Sequence, residues 1–414
     1  MTLLNCKDIE EASIAMRPLV KKSPLEYNVR LSQAYEAEIY IKREDLQTVR
    51  SYKIRGAFTV MNSLSQEELS KGVVCASAGN HAQGLALSCS FFKVKGTIFM
   101  PRTTPLQKIE RTKQFGTTYV SIKLIGDTFD EANAAALQFC KESGATFVHP
   151  FNDKRTMTGQ GSLAIEILED LKKPIDYLFV PIGGGGLLSG VGSYFTQKSP
   201  QTCIVGVEPS GAASMKASLE EGKVVALENI DTFVDGASVA KVGDLSFEIC
   251  SSFLRRSVCV PENRVCSTLL SFLKEEGIIL EPAGALAIDA LKDMKMEIKG
   301  KRVVCIASGG NFDFDRLAEV KERSLKFEGL KKYFLISFAQ RPGALKEFLT
   351  HLGPNDDIVR FEYLKKTKRE RGPALVGIET SKKDQFDTLK KKLSAAQITY
   401  EDITDNQLFF DFLI

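Results

Sequence analysis

A lysine in the first quarter of the chain lies in a setting that suits amine chemistry. Lys53 belongs to the segment SYKIRG at residues 51–56 and directly precedes a helical pattern. Its amine is therefore expected at the positive end of a helix dipole, which lowers the pKa of a lysine. A neutral amine can form a Schiff base with an aldehyde and later accept a proton.

A run of glycines follows the apolar stretch at 176–181. It consists of Gly183, Gly184, Gly185 and Gly186, with Leu187 directly after it. Contiguous glycines let several backbone N–H groups converge on one phosphate at the start of the next helix. The run lacks the Lys-Ser/Thr pair of a nucleotide P-loop. The alternative is a tight strand-to-helix turn, although four glycines cost more backbone entropy than such a turn requires.

Two more segments lie where an α/β protein would bind a ligand that carries an aldehyde and a phosphate. The segments SAGNHAQG at 77–84 and ASGGN at 307–311 each follow a short apolar run, where an α/β sheet carries its ligand-binding turns. Pyridoxal phosphate needs both an amine and a phosphate cradle, because a lysine holds its aldehyde and a second site holds its phosphate. The sequence therefore predicts a pyridoxal phosphate enzyme.

These four segments resemble the tryptophan-synthase-β family of pyridoxal phosphate enzymes and, within it, the biosynthetic threonine dehydratases, over nearly the whole chain. The resemblance implies a two-part catalytic domain of fold type II. It implies that Lys53 bonds the cofactor and serves as base, with Ser77 as a second catalytic residue. The implied cofactor contacts are Lys53, Asn80, Gly183, Gly184, Gly185, Gly186, Leu187 and Ser308. The implied substrate contacts are Ser77, Ala78, Gly79 and His81.

Two polar side chains of the 77–84 loop have alternative roles. By the resemblance, the Asn80 amide hydrogen-bonds the 3-hydroxyl oxygen of the cofactor ring, and capping of the next helix is an alternative that can coexist. For His81, a positioning role beside Asn80 is favoured over that of a base, because Lys53 already supplies the base. His149 and His351 lie in no motif.

Ser308 bears on the type of reaction. The resemblance places its hydroxyl next to the pyridine nitrogen of the cofactor. A hydroxyl leaves that nitrogen largely unprotonated, whereas an aspartate would hold a proton there, so the ring is a weaker electron sink. A weak sink suits β-elimination, because the leaving group departs from Cβ and discharges the carbanion quickly.

Glu208 resembles a cation ligand of related racemases and dehydratases. In those proteins the other ligands are a carbonyl, here that of Ala212, and an aspartate two residues further on, which in this chain is Ser214. Loss of a carboxylate removes the hardest oxygen ligand. No metal site is predicted, and the alternative role for Glu208 is to accept hydrogen bonds from its loop.

The larger part of the chain has an alternating pattern. Between Glu38 and Ile306, short β-branched runs alternate with helical patterns, which predicts an α/β fold with a mostly parallel, helix-covered sheet. Strands are predicted at 38–41, 73–75, 96–100, 117–120, 177–180, 204–207 and 303–306. A helix is predicted at 127–140, with Gly144 as its stop signal.

After the charged segment 317–332 the pattern changes. Strands at 333–338, 358–363 and 374–378 and amphipathic stretches at 344–352 and 384–393 predict a β-α-β-β-α-β, ferredoxin-like α+β unit. We place the catalytic domain at 1–322 and an ACT-like regulatory domain at 323–414. The segment RPGAL at 341–345 resembles the ligand loop of ACT-like domains, and a simple Pro-Gly turn before a helix is the alternative.

The bulk composition favours a small-molecule enzyme of the cytoplasm. With 414 residues, a net charge of +3 and 26% charged residues, the chain has no field that would indicate nucleic acid or a membrane surface as partner. Its basic stretch at 365–371 is predicted to be a solvated hairpin tip. The nine cysteines include no Cys-x-x-Cys pair and are predicted to be reduced thiols. No export signal or apolar run of about 18 residues is recognised.

The resemblance implies a specific reaction. The expected activity converts L-threonine, with L-serine as a further substrate, through an aminoacrylate to 2-oxobutanoate and ammonia, the first step of isoleucine biosynthesis. The expected effectors are isoleucine as inhibitor and valine as antagonist, and the expected assembly is a homotetramer. One alternative is a catabolic threonine/serine dehydratase or a serine racemase-like enzyme, which usually lacks the terminal domain. The other is a non-catalytic amino-acid sensor, against which intact Lys53, Asn80 and Ser308 argue.

Overall fold

The computed structural model describes residues 3–363, 370–406, 408, 409 and 412, in which strands and helices alternate along the chain. The strands are β1 (Leu25–Tyr27), β2 (Glu38–Arg43), β3 (Val73–Ala76), β4 (Gly96–Met100), β5 (Val120–Leu124), β6 (Thr146–Phe147), β7 (Tyr177–Pro181), β8 (Cys203–Pro209), β9 (Arg256–Val260), β10 (Arg302–Ala307), β11 (Lys331–Ala339), β12 (Asp357–Tyr363), β13 (Arg371–Glu379) and β14 (Thr399–Asp402). The helices are α1 (Cys6–Ala15), α2 (Val29–Tyr35), α3 (Lys53–Ser63), α4 (Gln66–Lys71), α5 (Asn80–Phe92), α6 (Leu106–Gly116), α7 (Phe129–Ser143), α8 (Lys154–Asp170), α9 (Gly186–Lys198), α10 (Ser214–Glu221), α11 (Asp244–Phe253), α12 (Glu262–Ser271), α13 (Pro282–Asp289), α14 (Lys295–Ile298), α15 (Leu317–Glu328), α16 (Ala344–Leu349) and α17 (Gln385–Ala395).

Two sheets organise the first unit of the chain, which comprises Met1–Glu262 and Phe272–Phe312. The larger sheet has the strand order β1-β2-β10-β7-β8-β9, in which β1 pairs antiparallel and the other neighbours pair parallel. The smaller sheet, β5-β4-β3-β6, is parallel. Its central strand β3 and the central strand β10 of the larger sheet are almost fully buried, as expected for sheets covered on both faces. The predicted mostly parallel α/β fold is confirmed.

The predicted strand at 117–120 is wrong for its first three residues. Helix α6 ends at Gly116, and Thr117 has a φ of 50°. The chain therefore turns through a 3-10 helix at Thr117–Tyr119 before β5 begins at Val120. The β-branched residues at 117 and 118 favour a strand by local propensity, but the turn that follows the end of α6 occupies these positions.

Helix α7 ends at the predicted stop signal, Gly144, and begins at Phe129, two residues after the predicted start. Thr128 caps the first turn and exchanges hydrogen bonds with Glu131, while Gly144 closes the helix at a φ of 71°. Ala132 and Ala136 are completely buried against Phe99. A local pattern of cap, apolar face and glycine was sufficient to predict this helix because each of its signals acts within a few residues.

The second unit, Asn263–Ser271 with Asp313–Ile414, contains an antiparallel sheet of order β12-β13-β11-β14. Together with α16 and α17 this is the predicted β-α-β-β-α-β order. Phe348 of α16 and Phe386 of α17 are buried against Phe334 and Ile336 of β11. Most of the predicted hairpin tip at 365–371 lies within residues 364–369, which are outside the described residues.

A buried network of charges fixes helix α3, which begins at Lys53. Arg55 is fully buried and donates to Glu44 after β2 (2.7 and 2.8 Å) and to Glu166 of α8 (2.7 and 3.0 Å). Lys42 also donates to Glu166 at 2.6 Å, so two cations balance two carboxylates. Burial raises the pKa of Glu44, but the charges of Arg55 and Lys42 and the hydrogen bonds from Arg55 and Ser23 together outweigh burial, so the net pKa is lowered. The network ties the start of α3 to the larger sheet and to α8.

Replacing Arg55 with methionine is expected to destabilise the protein by about 3–5 kcal/mol, because it leaves buried carboxylates without their partner. Equilibrium urea unfolding of the cofactor-free protein measures the change. The control is Lys7→Met, which removes an exposed ion pair with Glu11 at 3.8 Å and should cost less than about 1 kcal/mol. Equal losses in the two variants would contradict the proposed importance of the network.

Candidate active site

Three of the four predicted loops contact one another at the ends of the parallel strands. Strand β10 lies beside β2, so the loops that follow them are adjacent. Ser51 forms a bridge with Gly309, and the backbone N–H of Tyr52 donates to the Ser308 carbonyl at 3.2 Å. The Asn311 amide in turn donates to Asn80 Oδ1 at 2.7 Å. The loops of Lys53, Ser308 and Asn80 therefore form one site.

Lys53 is the first residue of α3, and its side chain faces inward. Its Nζ donates to the Pro150 carbonyl at 2.9 Å. Burial lowers the pKa of Lys53 to about 8, while the negative charge of Glu281 opposes this shift. A substantial fraction of the amine is therefore neutral near pH 8, as a nucleophile or base requires.

The glycine run forms the turn between β7 and α9. Helix α9 begins at Gly186, and Gly185 is its N-cap with a φ of 88° and no side-chain cap. The N–H groups of the first turn therefore have no acceptor within the helix. A Cβ at Gly184 would lie 2.3 Å from the Phe151 ring, and one at Gly185 would lie 2.7 Å from Ser246 Cβ. The turn needs glycines, and among the described residues no side chain caps its first-turn amides, which fits a phosphate.

The segment between Val148 and Asp153 connects the lysine to the glycine run. Pro150 receives the Lys53 amine, and the next residue, Phe151, packs against Gly184 and Gly186. The amine and the phosphate cradle thus lie on either side of one short segment. An amine and a glycine turn joined in this way suit a cofactor that carries an aldehyde at one end and a phosphate at the other.

Asn80 is the first residue of α5, and Gly79 occupies the N-cap position. The Asn80 side chain does not cap the helix: its Nδ2 donates to Glu281 Oε1 at 2.6 Å. Glu281 is 4% exposed and directly precedes α13. Burial raises the pKa of Glu281 to about 7, and the charge of Asp235 adds to the shift. The Asn80 side chain is therefore held between Glu281 and Asn311.

Replacing Glu281 with glutamine is expected to change how stability depends on pH. The folded state raises the pKa of Glu281 from 4.5 to about 7, so its stabilising contribution is complete below pH 4.5 and is lost as the pH rises through 7. Relative to the Glu281→Gln variant, the cofactor-free wild type should lose about 3 kcal/mol of unfolding free energy between these pH values. Urea unfolding at pH 4.5 and 7.5 measures this difference. Parallel pH profiles in both proteins would contradict the assignment.

Ser77, Ala78 and Gly79 form the turn from β3 into α5. Ser77 Oγ accepts from the Gly79 N–H at 3.2 Å. A Cβ built on Gly79 would meet nothing within 4 Å, so the turn borders open space. Among the described residues no side chain caps the first-turn amides of α5. This environment suits a carboxylate ligand.

His81 is buried and is not arranged as a base. Burial lowers its pKa to about 3, and the charge of Lys53 lowers it further, so the ring is neutral. Its Nε2 lies 2.8 Å from the Val148 carbonyl and must donate there, because a carbonyl only accepts. His81 therefore anchors the start of α5 to the segment that carries Pro150.

Ser308 and Leu187 are buried. Ser308 Oγ donates to the Ala283 carbonyl at 3.3 Å, and Leu187 is the second residue of α9. The Ser308 hydroxyl thus lies directly after the end of β10 and contacts the backbone of α13.

Glu208 is completely buried and accepts from the backbone N–H groups of Met215 (2.7 Å) and Lys216 (2.9 Å) at the start of α10. Burial raises its pKa to about 7. The hydroxyl of Ser214, in the position of the missing aspartate, has no hydrogen-bond partner in the part of the chain that the structure describes. Among the described residues, no cluster of three or more His, Cys, Asp or Glu side chains could hold a metal ion. Glu208 here acts as a helix cap.

Sequence inspection missed several residues of the site. They are His149, Pro150, Phe151, Gln160 and Glu281. His149 Nδ1 accepts from the N–H groups of Phe151 (3.2 Å) and Asn152 (2.8 Å) and so shapes the turn that holds Pro150. One signal was available: Gln160 lies between two glycines in mid-helix, where glycine is unfavourable and indicates close packing.

The fold and the site define the class of the protein. A family model for pyridoxal-phosphate dependent enzymes matches residues 16–309, and the chain belongs to that family. A model for the C-terminal regulatory domain of threonine dehydratase matches residues 322–413.

Proteins of similar sequence show which group of pyridoxal phosphate enzymes the chain belongs to. The chain is 50% identical over its full length to a protein from Halalkalibacterium halodurans described as biosynthetic L-threonine dehydratase IlvA, and it covers 100% of that protein. It is 49% identical to the Bacillus subtilis protein of the same description, of which it covers 98%. The chain therefore belongs to the family of biosynthetic L-threonine dehydratases.

Solved structures agree with this assignment. A processed threonine deaminase isoform 2 from Solanum lycopersicum aligns with a TM-score of 0.73 and 41% identity, over 78% of this chain and 95% of that one. Maize serine racemase aligns with a TM-score of 0.72 and 28% identity, over 79% and 99%. No helix among the described residues is long and apolar enough to cross a membrane.

Proposed function

We propose that the chain converts L-threonine to 2-oxobutanoate and ammonia. The observation that carries this proposal is that Pro150 and Phe151 join the partly buried Lys53 amine to the uncapped glycine turn. The chain is also about half identical to L-threonine dehydratases over its whole length. Bound pyridoxal phosphate supplies the electron sink for this β-elimination. The glycine amides would hold the phosphate of the cofactor, and Ser308 would lie beside its ring nitrogen.

The side chains of the site have separate tasks in this proposal. Lys53, with a pKa of about 8, takes the proton from the substrate Cα. The amides of the turn at Ser77–Gly79, together with the start of α5, bind the substrate carboxylate. Asn80 is steadied by Glu281 and Asn311 and orients the cofactor ring.

The purified protein with pyridoxal phosphate tests the reaction. Keto-acid release is measured with L-threonine and with L-serine, and racemisation of L-serine is measured beside it. We expect faster release from threonine. Racemisation as the main activity would favour the serine racemase-like alternative, and cofactor binding without turnover would favour the amino-acid sensor.

We further propose that residues 323–414 bind isoleucine and lower the activity of the domain at 1–322, with valine as antagonist. The match of the regulatory family model to residues 322–413 supports this proposal. Gly343 has a φ of 88° and Ala344 N–H donates to the Arg341 carbonyl at 3.4 Å, so a Pro-Gly turn is present whether or not it binds an effector. Isoleucine titration of the threonine activity is the test, and unchanged activity at saturating isoleucine would reject the proposal.

We also propose that the protein is cytoplasmic and assembles as a homotetramer. All nine cysteines lie among the described residues as free thiols, which supports a reducing compartment. The tetramer is supported by the family resemblance, and light scattering of the purified protein tests it.

A further inference from the structure

Helix α8 lies in backbone contact with the two helices that carry the site. A Cβ at Gly159 would lie 2.4 Å from the Arg55 carbonyl oxygen of α3, and a Cβ at Gly161 would lie 2.9 Å from the Gly190 carbonyl oxygen of α9. The glycines on either side of Gln160 therefore let both helices approach α8 closely. The residue between them is fixed relative to both Lys53 and the glycine run.

Gln160 contacts both parts of the site from that position. It is 0% exposed, and its Nε2 donates at 3.3 Å to the Pro150 carbonyl, which also receives the Lys53 amine at 2.9 Å. Its other end lies beside the glycine run, since a Cβ at Gly186 would be 2.8 Å from Gln160 Oε1.

The oxygen of this side chain is not satisfied by the protein. Among the described residues Gln160 Oε1 is buried without a hydrogen-bond partner. A buried polar atom without a partner costs about 1–3 kcal/mol. The Oε1 atom lies beside the start of α9, whose first turn has no side-chain cap among the described residues. The predicted phosphate site therefore includes the side chain of Gln160 as well as the backbone of the glycine turn.

We propose that Gln160 is a positioning residue for the cofactor. One end of its amide, Nε2, donates to the Pro150 carbonyl that receives the Lys53 amine. The other end, the acceptor Oε1, lies against the first turn of α9 and so holds the backbone of the phosphate cradle rather than the phosphate itself. A single buried side chain then sets the spacing between the amine and the cradle. This inference rests on the pyridoxal phosphate site described above.

The test compares Gln160→Met with Gln47→Met. Methionine has similar length and no amide. Gln47 is a buried glutamine, 3% exposed, whose amide bonds only Lys21 backbone groups at 2.7 and 3.2 Å among the described residues. Both variants lose buried amide hydrogen bonds and should lose similar stability. The dissociation constant of pyridoxal phosphate from the cofactor-free protein and the thermal midpoint of that protein are measured for each.

We expect Gln160→Met to weaken pyridoxal phosphate binding by about tenfold or more, equivalent to the loss of a buried polar contact. Gln47→Met should leave the dissociation constant within about twofold of the wild type. A dissociation constant for Gln160→Met that is also within about twofold would overturn the proposal. Absence of cofactor binding in the wild type would instead reject the proposed function itself.

Gln160→Glu keeps the shape of the side chain and is the second variant for the binding measurement if the methionine variant does not fold. Its carboxylate cannot donate to Pro150 and would repel the phosphate dianion. We expect cofactor binding to fall by about 100-fold at pH 8 and to recover partly at pH 6, where the buried carboxyl group takes up a proton. Wild-type affinity at both pH values would contradict a place for Gln160 beside the phosphate.

Discussion

Lys53→Ala should lower keto-acid release from L-threonine by about 10³-fold or more, because positioned proton transfer alone contributes roughly 10²–10⁴-fold. The variant also loses the amine that would bond the cofactor aldehyde. A steady-state assay measures the loss, and circular dichroism checks that the fold is kept.

Lys71→Ala is the matched control for this variant. Lys71 is an exposed lysine in the last turn of α4, paired with Glu67 at 2.7 Å. We expect its activity to equal that of the wild type. Retention of more than about a tenth of the activity in Lys53→Ala would show that another group acts as base.

Gly185→Ala is expected to weaken pyridoxal phosphate binding by about 100-fold. An alanine at a φ of 88° is strained by about 1–2 kcal/mol, and its Cβ would lie 2.7 Å from Ser246 Cβ. Relief of this clash must move the turn, and the amides that would face the phosphate move with it. Equilibrium binding of the cofactor to the cofactor-free protein measures the effect.

Gly222→Ala separates backbone strain from displacement of the cradle. Gly222 has a φ of 66° at the end of α10, and a Cβ there would meet nothing within 4 Å. This variant should lose about 1 kcal/mol of stability with unchanged cofactor affinity. Similar losses of affinity in both glycine variants would mean that strain alone, rather than the cradle, controls binding.

Much of the fold was predictable because its signals are local. The start of α3 at Lys53, the cap and stop of α7, and the glycine turn before α9 each depend on residues within one or two helical turns. The buried strands β3 and β10 were found from short apolar runs. The error at Thr117 arose where β-branched residues followed a helix end, so that local propensity and chain direction disagreed.

The rest of the site depends on contacts between distant segments. Glu281 lies 201 residues from Asn80 along the chain, and from sequence it is an ordinary acidic residue before a helix. Pro150 matters only because its carbonyl receives Lys53. Gln160 acquires its importance from the helices on either side of α8. Such roles come from tertiary packing, for which the two glycines beside Gln160 were the one local signal.

The central claim is that Lys53 holds the aldehyde of a cofactor whose phosphate binds the glycine run. The most direct measurement is peptide mass mapping of the pyridoxal phosphate-loaded protein after borohydride reduction, which makes the lysine–cofactor bond permanent. We predict one pyridoxyl-modified peptide, containing Lys53, and its absence from a sample of Gly185→Ala loaded at the same limiting cofactor concentration. Modification of a different lysine, or an unmodified wild-type protein, would contradict the account.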